Sequence, residues 1–505
     1  MRKTSKPEYL VIIAVITFNL ILHLIANFQA GFLSDEFLFI ESGRHLAAGY
    51  MDFSPMIAFL AAIQNIFHSS SIFVNHIFLH LATMLILLVS GFITIELGGK
   101  WLAVLATLLC ITFAPGFAAS HSFFLPDVFD QLAWISCLYF ILKFCNEPSS
   151  RNLILIGVIA ALGFLTKYTI VFLIGGLILS VLIFNRGLLK RKALWVSVVI
   201  SLIIITPNII WQITNGFPLL GHFGALYKTQ LEKLSLINEF RNIIMYLNPL
   251  ASVIWIPGLL AVPFLHRFRD KRLYTFSLLS AFIFLLVARG KSYYYFPVIL
   301  GALPLGTVFL EQILTRRMWI LKTYLSLTLI AGAILLPHGL PVLPLEKYVK
   351  YYRLEINNDG KIPLTFDNYY SRPLWKRILE TVSNQYRRLP PDEQKNCLVW
   401  GRHYSQAGGI NLFGRKYGLP PAFSFHGSFF NWVPEFSKNI TVIIISDYSW
   451  DKEHWLKYFD SVEEIDTIEN IYASGKEWFC QHIFLCRGLK YDSSELKKIF
   501  RVDIF

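Results

Sequence analysis

The chain has 505 residues, 55% of them hydrophobic and only 16% charged, with a mean hydropathy of +0.51. An ordinary soluble domain carries about 25% charged residues, so a wholly soluble protein is excluded. The net charge of +13 would suit nucleic acid, but the basic residues sit in short connectors between apolar runs, which argues against that partner.

With about 20 apolar residues per span, eleven membrane helices are expected, near 9–30, 71–96, 101–119, 128–145, 152–167, 169–185, 193–211, 243–264, 273–288, 293–313 and 319–336. Beyond them Pro, Tyr and charged residues become frequent. Two domains are therefore expected, a membrane part over 1–340 and a soluble part over 341–505, long enough for its own core. The opening run from Tyr9 to Ala30 is too long for a signal-peptide core and lacks a small-x-small cleavage site, so it is expected to be retained.

The connectors alternate in charge. One set holds Arg2, Lys3, Lys6, Lys100, Lys143, Arg151, Arg186, Lys190, Arg191, Lys192, Arg267, Arg269, Lys271, Arg272, Arg316, Arg317 and Lys322. The other set is poorer although it contains the longest loops: Arg44, Lys167, Lys228, Lys233, Arg241, Arg289 and Lys291. The positive-inside rule makes the first set cytoplasmic. The N-terminus is then inside, and eleven crossings leave the C-terminal domain outside.

Residues 31–70 and 212–242 read as outer segments with amphipathic helical spacing, lying along the surface. In the C-terminal domain CLVW and TVIIISDY read as buried strands, WDKEHWLKYF as a helix and IFLCRG as a late strand, which predicts an α/β layered domain. Cys110, Cys137 and Cys145 read as small buried hydrophobes. If WFCQHIFLC is one strand, Cys480 and Cys486 lie too far apart to bond, so any outer bridge must use Cys397.

The candidate chemistry collects at the outer ends of the spans. Asp35 and Glu36, in LSDEFLF, could be first-turn acids of a surface helix capped by Ser34. An ionisable group at membrane depth is costly, however, and marks a site. Asp127, in LPDVFD, opens the fourth span on the same face and is favoured over Asp130, one turn deeper. His121 reads as surface decoration. Lys167 closes span five, and Arg289 and Lys291 follow span nine beside Tyr293, Tyr294 and Tyr295. Snorkelling anchors and an interfacial aromatic belt are the alternatives for these groups. GGINLFG near Gly408 lacks the Lys-Ser/Thr ending of a phosphate loop, and no zinc motif assembles.

Carboxylates and cations at one membrane face suit transfer of a sugar from a polyprenyl phosphate. The phosphate is already a good leaving group; one carboxylate must take the acceptor proton, and cations or a divalent metal must hold the departing phosphate. The metal itself is left open, because no full ligand set is visible. A transporter or flippase of lipid-linked sugars is the alternative, but it would place charges along a path through the spans. A binding module acting through the outer domain is a third reading.

LSDEFLFIESGRHLAAGYMDFSPMIAFLAAI resembles the first outer loop of the dolichyl-phosphate-mannose protein mannosyltransferase superfamily, in its bacterial branch related to lipid A aminoarabinose transferases. The pattern there is Asp-Glu, an aromatic, then Gly-x-x-Tyr-x-Asp-x-Pro-Pro; Ser54 stands for the first proline and Phe37 for the usual tyrosine. LPDVFDQLAW, LGFLTKY and GKSYYYFPVILGALPLG resemble later blocks, and HYSQAGGINLFGRKYGLPPAFSFHGSFFNW resembles the tail of a bacterial branch. The resemblance implies a polytopic α-helical GT-C enzyme with an extracytoplasmic α/β domain, in a bacterial inner membrane with that domain periplasmic. It implies Asp35 as catalytic carboxylate, Glu36 as its neighbour and Asp127 as a second acid. Lys291 and Tyr294 would form a lipid-phosphate block; from the placement of the charges Lys291, Arg289 and Lys167 are expected to hold the phosphate, and Asp52 is a further expected substrate-binding residue. The implied partners are a polyprenyl-phosphate sugar donor, membrane lipid, and a glycan, lipid or protein acceptor.

Overall fold

The computed structural model describes residues 6–447, 451–473 and 480–503. Arg2 and Lys3 of the basic N-terminus, Trp450 of the expected helix and Trp478 and Phe479 of the expected late strand lie outside them. In chain order the main helices are α1 Lys6–Gln29, α2 Glu36–Ser42, α3 Met56–Asn65, α4 Ile77–Glu96, α5 Trp101–Thr112, α6 Pro126–Asn146 and α7 Ser150–Thr166. They continue with α8 Ile170–Phe184, α9 Lys192–Thr214, α10 Leu236–Tyr246, α11 Ser252–Leu260, α12 Arg272–Val287, α13 Phe296–Ile313, α14 Met318–Leu335, α15 Ser371–Arg388 and α16 Tyr404–Phe413. The strands are β1 Cys397–Gly401, β2 Ala422–Phe423, β3 Thr441–Ser446, β4 Phe459–Glu469 and β5 Cys480–Leu489.

Every expected span contains a helix, but fewer are full-length. Among the described residues six helices are long and apolar enough to cross a membrane, α1, α4, α6, α9, Ser292–Ile313 and Met318–His338. The pair Leu236–Tyr246 and Pro249–Phe264, bent by 104°, makes a seventh if it is one broken span. The expected count of eleven also took in α5, α7, α8 and α12, of 12, 17, 15 and 16 residues. At 1.5 Å per residue these reach about 18–26 Å, short of the ~30 Å hydrocarbon core. Hydropathy alone could not register that shortfall, because flanking apolar turns extend each run.

The chain forms two compact units. The first comprises residues up to Ile25, Phe53–Met56 and His76–Val342; the second comprises Ala26–Asp52, Ile57–Asn75 and Leu343–Phe505. The division is thus not a single cut near residue 340, because most of the first outer segment packs with the C-terminal part.

The first unit is a helical bundle in which polar groups bridge neighbouring helices. Glu311 in α13 accepts from the backbone N–H groups of Lys100 (2.8 Å) and Ala103 (3.1 Å), closing the N-terminus of α5. Two helices away from water could not otherwise satisfy those donors. Thr107 and Thr307 share a 2.7 Å hydrogen bond across the same two helices.

In the second unit the five strands run in the order β2-β1-β3-β5-β4. β1 is parallel to both β2 and β3, whereas β5 is antiparallel to β3 and β4. The central β3 is buried at all six positions, as the unbroken apolar run TVIIIS requires. Trp400, Phe425, Trp455, Phe459 and Phe484 pack in its core. β4 went unrecognised in the sequence because FDSVEEIDTIE is an edge strand with exposed acids at five of its eleven positions. The expected helix over WDKEHWLKYF covers only Asp451–Trp455, and Phe459 already opens β4.

Two further expectations are overturned. α2 is not a surface helix: all seven of its residues are buried. His121 is not surface decoration; it is 1% exposed, with Nε2 3.0 Å from Gln131 Oε1. Cys397, Cys480 and Cys486 are free thiols. Cys397 faces Thr441 on β3, while Cys486 faces Val442 from the opposite side of that strand. The two strands are thus separated by about 9.6 Å, beyond the ~7 Å reach of a disulfide.

Candidate active site

The site candidates of each unit lie in a cluster of polar groups. In the first unit, Asp127 lies in the first turn of α6 behind Pro126, and Lys167 is the C-terminal cap of α7. Pro at that position costs no hydrogen bond, and an acid there meets the positive helix end. The Lys167 ammonium lies 2.6 Å from Asp127 Oδ1. It also stands 5.0 Å from the ring centres of both Tyr293 and Tyr294, which meet edge to face at 4.6 Å. A cation held by one carboxylate and two aromatic faces keeps its charge where water is scarce.

Lys291 donates to Gln230 Oε1 and lies 5.9 Å from the Tyr293 ring. Arg289 donates to the Glu232 carbonyl at 2.7 Å. Its backbone has φ +53°, a left-handed conformation costly for a side-chain-bearing residue. The loop carrying Gln230 and Glu232 thus fastens the segment after α12, and Glu239 adds a bond from the Ser292 N–H at 2.5 Å. Asp130, by contrast, is buried and accepts from Thr169 at 2.7 Å. Asp127, Lys167, Tyr294 and Lys291 are therefore brought together, and Arg289 joins the same strap of loop.

The second unit holds Asp35, Glu36 and Asp52. Asp35, not Ser34, occupies the N-cap of α2, and its side chain makes no capping bond. Its Oδ1 instead accepts from the Tyr404 hydroxyl at 2.7 Å. Glu36 is fully buried, and its Oε1 accepts from the Leu33 N–H at 2.7 Å, closing the turn that presents Asp35. The Ser34 N–H goes to Asp367, at 3.2 and 3.1 Å from its two oxygens. Burial pushes Asp367 up to about 7, against the Ser34 hydrogen bonds that lower it, and the charges of Asp35 and Glu36 add to the rise.

Tyr404 opens α16 directly after β1 and a two-residue turn, Arg402-His403. Its ring stacks on His426 at 5.0 Å and 15°, and His403 lies 4.0 Å from it and 4.4 Å from His426. Burial, and then the Arg402 charge, lowers His426 to about 4; burial, followed by His426 and Arg402, puts His403 well below its ordinary value. Both rings are neutral at physiological pH. The Ser405 N–H donates to His403 Nδ1 at 3.3 Å, which leaves the ring proton on Nε2. Asp52 accepts from Ser428 Oγ at 2.5 Å and from its N–H at 3.4 Å, holding the turn at Gly427, whose φ is +57°.

The paired glycines near Gly408 serve this geometry. A Cβ on Gly408 would lie 2.8 Å from Phe37 Cβ and carbonyl O, so only glycine lets α16 approach α2 closely enough for Tyr404 to reach Asp35. Sequence reasoning missed Tyr404, His403, His426 and Asp367. The usable signal was RHY directly after a buried parallel strand, where α/β sheets place their ligand-binding groups. Among the described residues no group of three or more His, Cys, Asp or Glu side chains is arranged to hold a metal ion.

These features define a multi-pass membrane protein of the GT-C architecture with a mixed-sheet α/β domain. Residues 52–211 match the family described as dolichyl-phosphate-mannose-protein mannosyltransferase. The lipid A galacturonosyltransferase RgtD of Rhizobium johnstonii is 25% identical over 218 residues, which is 42% of this chain and 45% of that protein. The match thus spans less than half of the curated relative. The crystal structure of ArnT from Cupriavidus metallidurans in the apo state superposes with a TM-score of 0.62 at 14% identity, covering 94% of this chain and 97% of that one. The same protein bound to undecaprenyl phosphate gives a TM-score of 0.60 at 14% identity, covering 95% and 98%. The chain thus shares the fold of ArnT and is similar over part of its length to a lipid A galacturonosyltransferase.

Proposed function

We propose that this protein is a membrane glycosyltransferase that moves a sugar from a polyprenyl phosphate to an acceptor hydroxyl at the periplasmic face of a bacterial inner membrane, with inversion. Asp35 takes the acceptor proton as the acceptor oxygen bonds to the anomeric carbon. The bond from that carbon to the phosphate oxygen breaks on the opposite face, and the polyprenyl phosphate leaves with the electron pair. Within the first unit, Lys167, Lys291 and Arg289, with Tyr293 and Tyr294 framing Lys167, supply the positive charge suited to binding a polyprenyl phosphate. Asp127 keeps Lys167 charged and directed until the donor arrives.

The observation that carries this reading is the Asp35 side chain: it caps no helix and is held by a phenol, while its neighbour Glu36 is consumed in building the turn. A carboxylate aimed by a phenol at the head of a buried helix is suited to proton transfer. The relatives support the donor class, because one is a lipid A galacturonosyltransferase and another was crystallised with undecaprenyl phosphate. Lipid A or a related glycolipid is the acceptor class this favours.

The test is Asp35→Asn in purified full-length protein, incubated with radiolabelled polyprenyl-phosphate sugar and membrane extract. The variant should insert and melt as the parent does while transferring no label. Undiminished transfer would remove Asp35 from the role of base.

A further inference from the structure

Resting on the reading of Asp35 as the base, we infer that Tyr404 is its positioning residue, so that the α/β sheet domain is a working part of the catalytic apparatus and not an appended module. Asp35 and Tyr404 are 369 residues apart in sequence, yet their oxygens are 2.7 Å apart within one compact unit. Tyr404 is fixed from three sides. Its backbone begins α16 immediately after β1, its ring lies on His426, and His403 packs against both. The glycine contact of α16 with α2 at Phe37 sets the distance between the two chain segments. A rigid donor on a short, strand-anchored turn can hold a carboxylate in one orientation, the condition for meeting an acceptor hydroxyl in line.

A phenol O–H donating to a carboxylate favours its charged form. Tyr404 donates to Asp35, and Asp367 feels the charges of both Asp35 and Glu36; on the far side of Tyr404 lie His403 and His426, with Arg402 acting on both histidines, and Asp52 lies at Gly427. Burial lowers both histidines, His426 to about 4, so neither adds a charge step near neutrality. Asp367 titrates near 7 and must be separated from Asp35 in any measurement.

The experiment is an infrared titration of protonated carboxyl groups in the full-length protein in nanodiscs, with the Asp35→Asn difference spectrum isolating the Asp35 band. In Tyr404→Phe, which keeps the ring stack, the Asp35 midpoint should rise by about one pH unit, since a donor to a carboxylate is worth about that much. With 3-fluorotyrosine at position 404, a stronger donor of nearly the same shape, the midpoint should fall. The acidic limb of the transfer profile should move with it, whereas a merely structural contact would lower the rate equally at every pH. A midpoint unmoved in both proteins would overturn the assignment of Tyr404. Full transfer by Asp35→Asn would instead overturn the role of Asp35 and leave the carboxylate–phenol contact standing.

Discussion

Gly408→Ala tests the link from helix packing to the carboxylate. The new methyl would lie 2.8 Å from Phe37 Cβ and carbonyl O and 3.0 Å from its carbonyl carbon, where ordinary contact begins at 3.4 Å. The helices must therefore part by about 0.6 Å, because the obstacle is largely backbone. Phe37 has nowhere to retreat: its ring packs at 5.0 Å on Trp375 and at 5.8 Å on both Phe32 and Phe413. Alanine gains about 1 kcal/mol over glycine in a helix, and overpacking costs about 1–3 kcal/mol. Overpacking wins, leaving a net loss of up to about 2 kcal/mol. The same 0.6 Å would stretch the Asp35–Tyr404 contact from 2.7 Å to about 3.3 Å, outside the range of a good O–H···O bond. Turnover should fall about tenfold, the effect of weakening one bond to a charged group, with the Michaelis constant for donor unchanged. Melting temperature in detergent and label transfer check the two arms. A Gly408→Ala protein that melts and turns over like the parent would refute the packing argument.

Lys167→Met should raise the Michaelis constant for donor at least about tenfold, because a phosphate loses one ionic contact, whereas Asp127→Asn should mainly lower turnover and leave residual activity; steady-state kinetics separate the two. Asp367 has its folded value raised to about 7 from an ordinary 3.8, so between about pH 4 and pH 7 the folded state holds a proton that the unfolded state has lost. Its contribution to stability is full below about 4 and declines as pH rises through 7. Asp367→Asn should flatten that decline in melting temperature across the window. A chain ending at residue 342 should lose all transfer, since Ala26–Asp52 and Ile57–Asn75 pack with the residues removed; limited proteolysis should then cut within 26–52.

Apolar runs long enough to bury a helix are a local property, which is why α1, α4, α6, α9 and the two spans ending at Ile313 and His338 were legible in the sequence. The same holds for CLVW and TVIIIS, whose continuous apolar character demands a sheet interior. Lys167 and Asp127 could be ranked as site candidates because charge at a span end is costly wherever the partner lies. Their 2.6 Å pairing across 40 residues needed the bundle.

Nonlocal decisions came from tertiary structure alone. Glu36 is taken up by the Leu33–Glu36 turn, and Asp35 is met by a tyrosine 369 positions away. The paired glycines carried no motif, because they make room for Phe37 at Gly408 and for Trp375 at Gly409. β4 was hidden because an edge strand buries only one face and its acids read as loop. Residue order dictated which segments avoid water; which carboxylate they present was decided by contacts whose partners no sequence window contains.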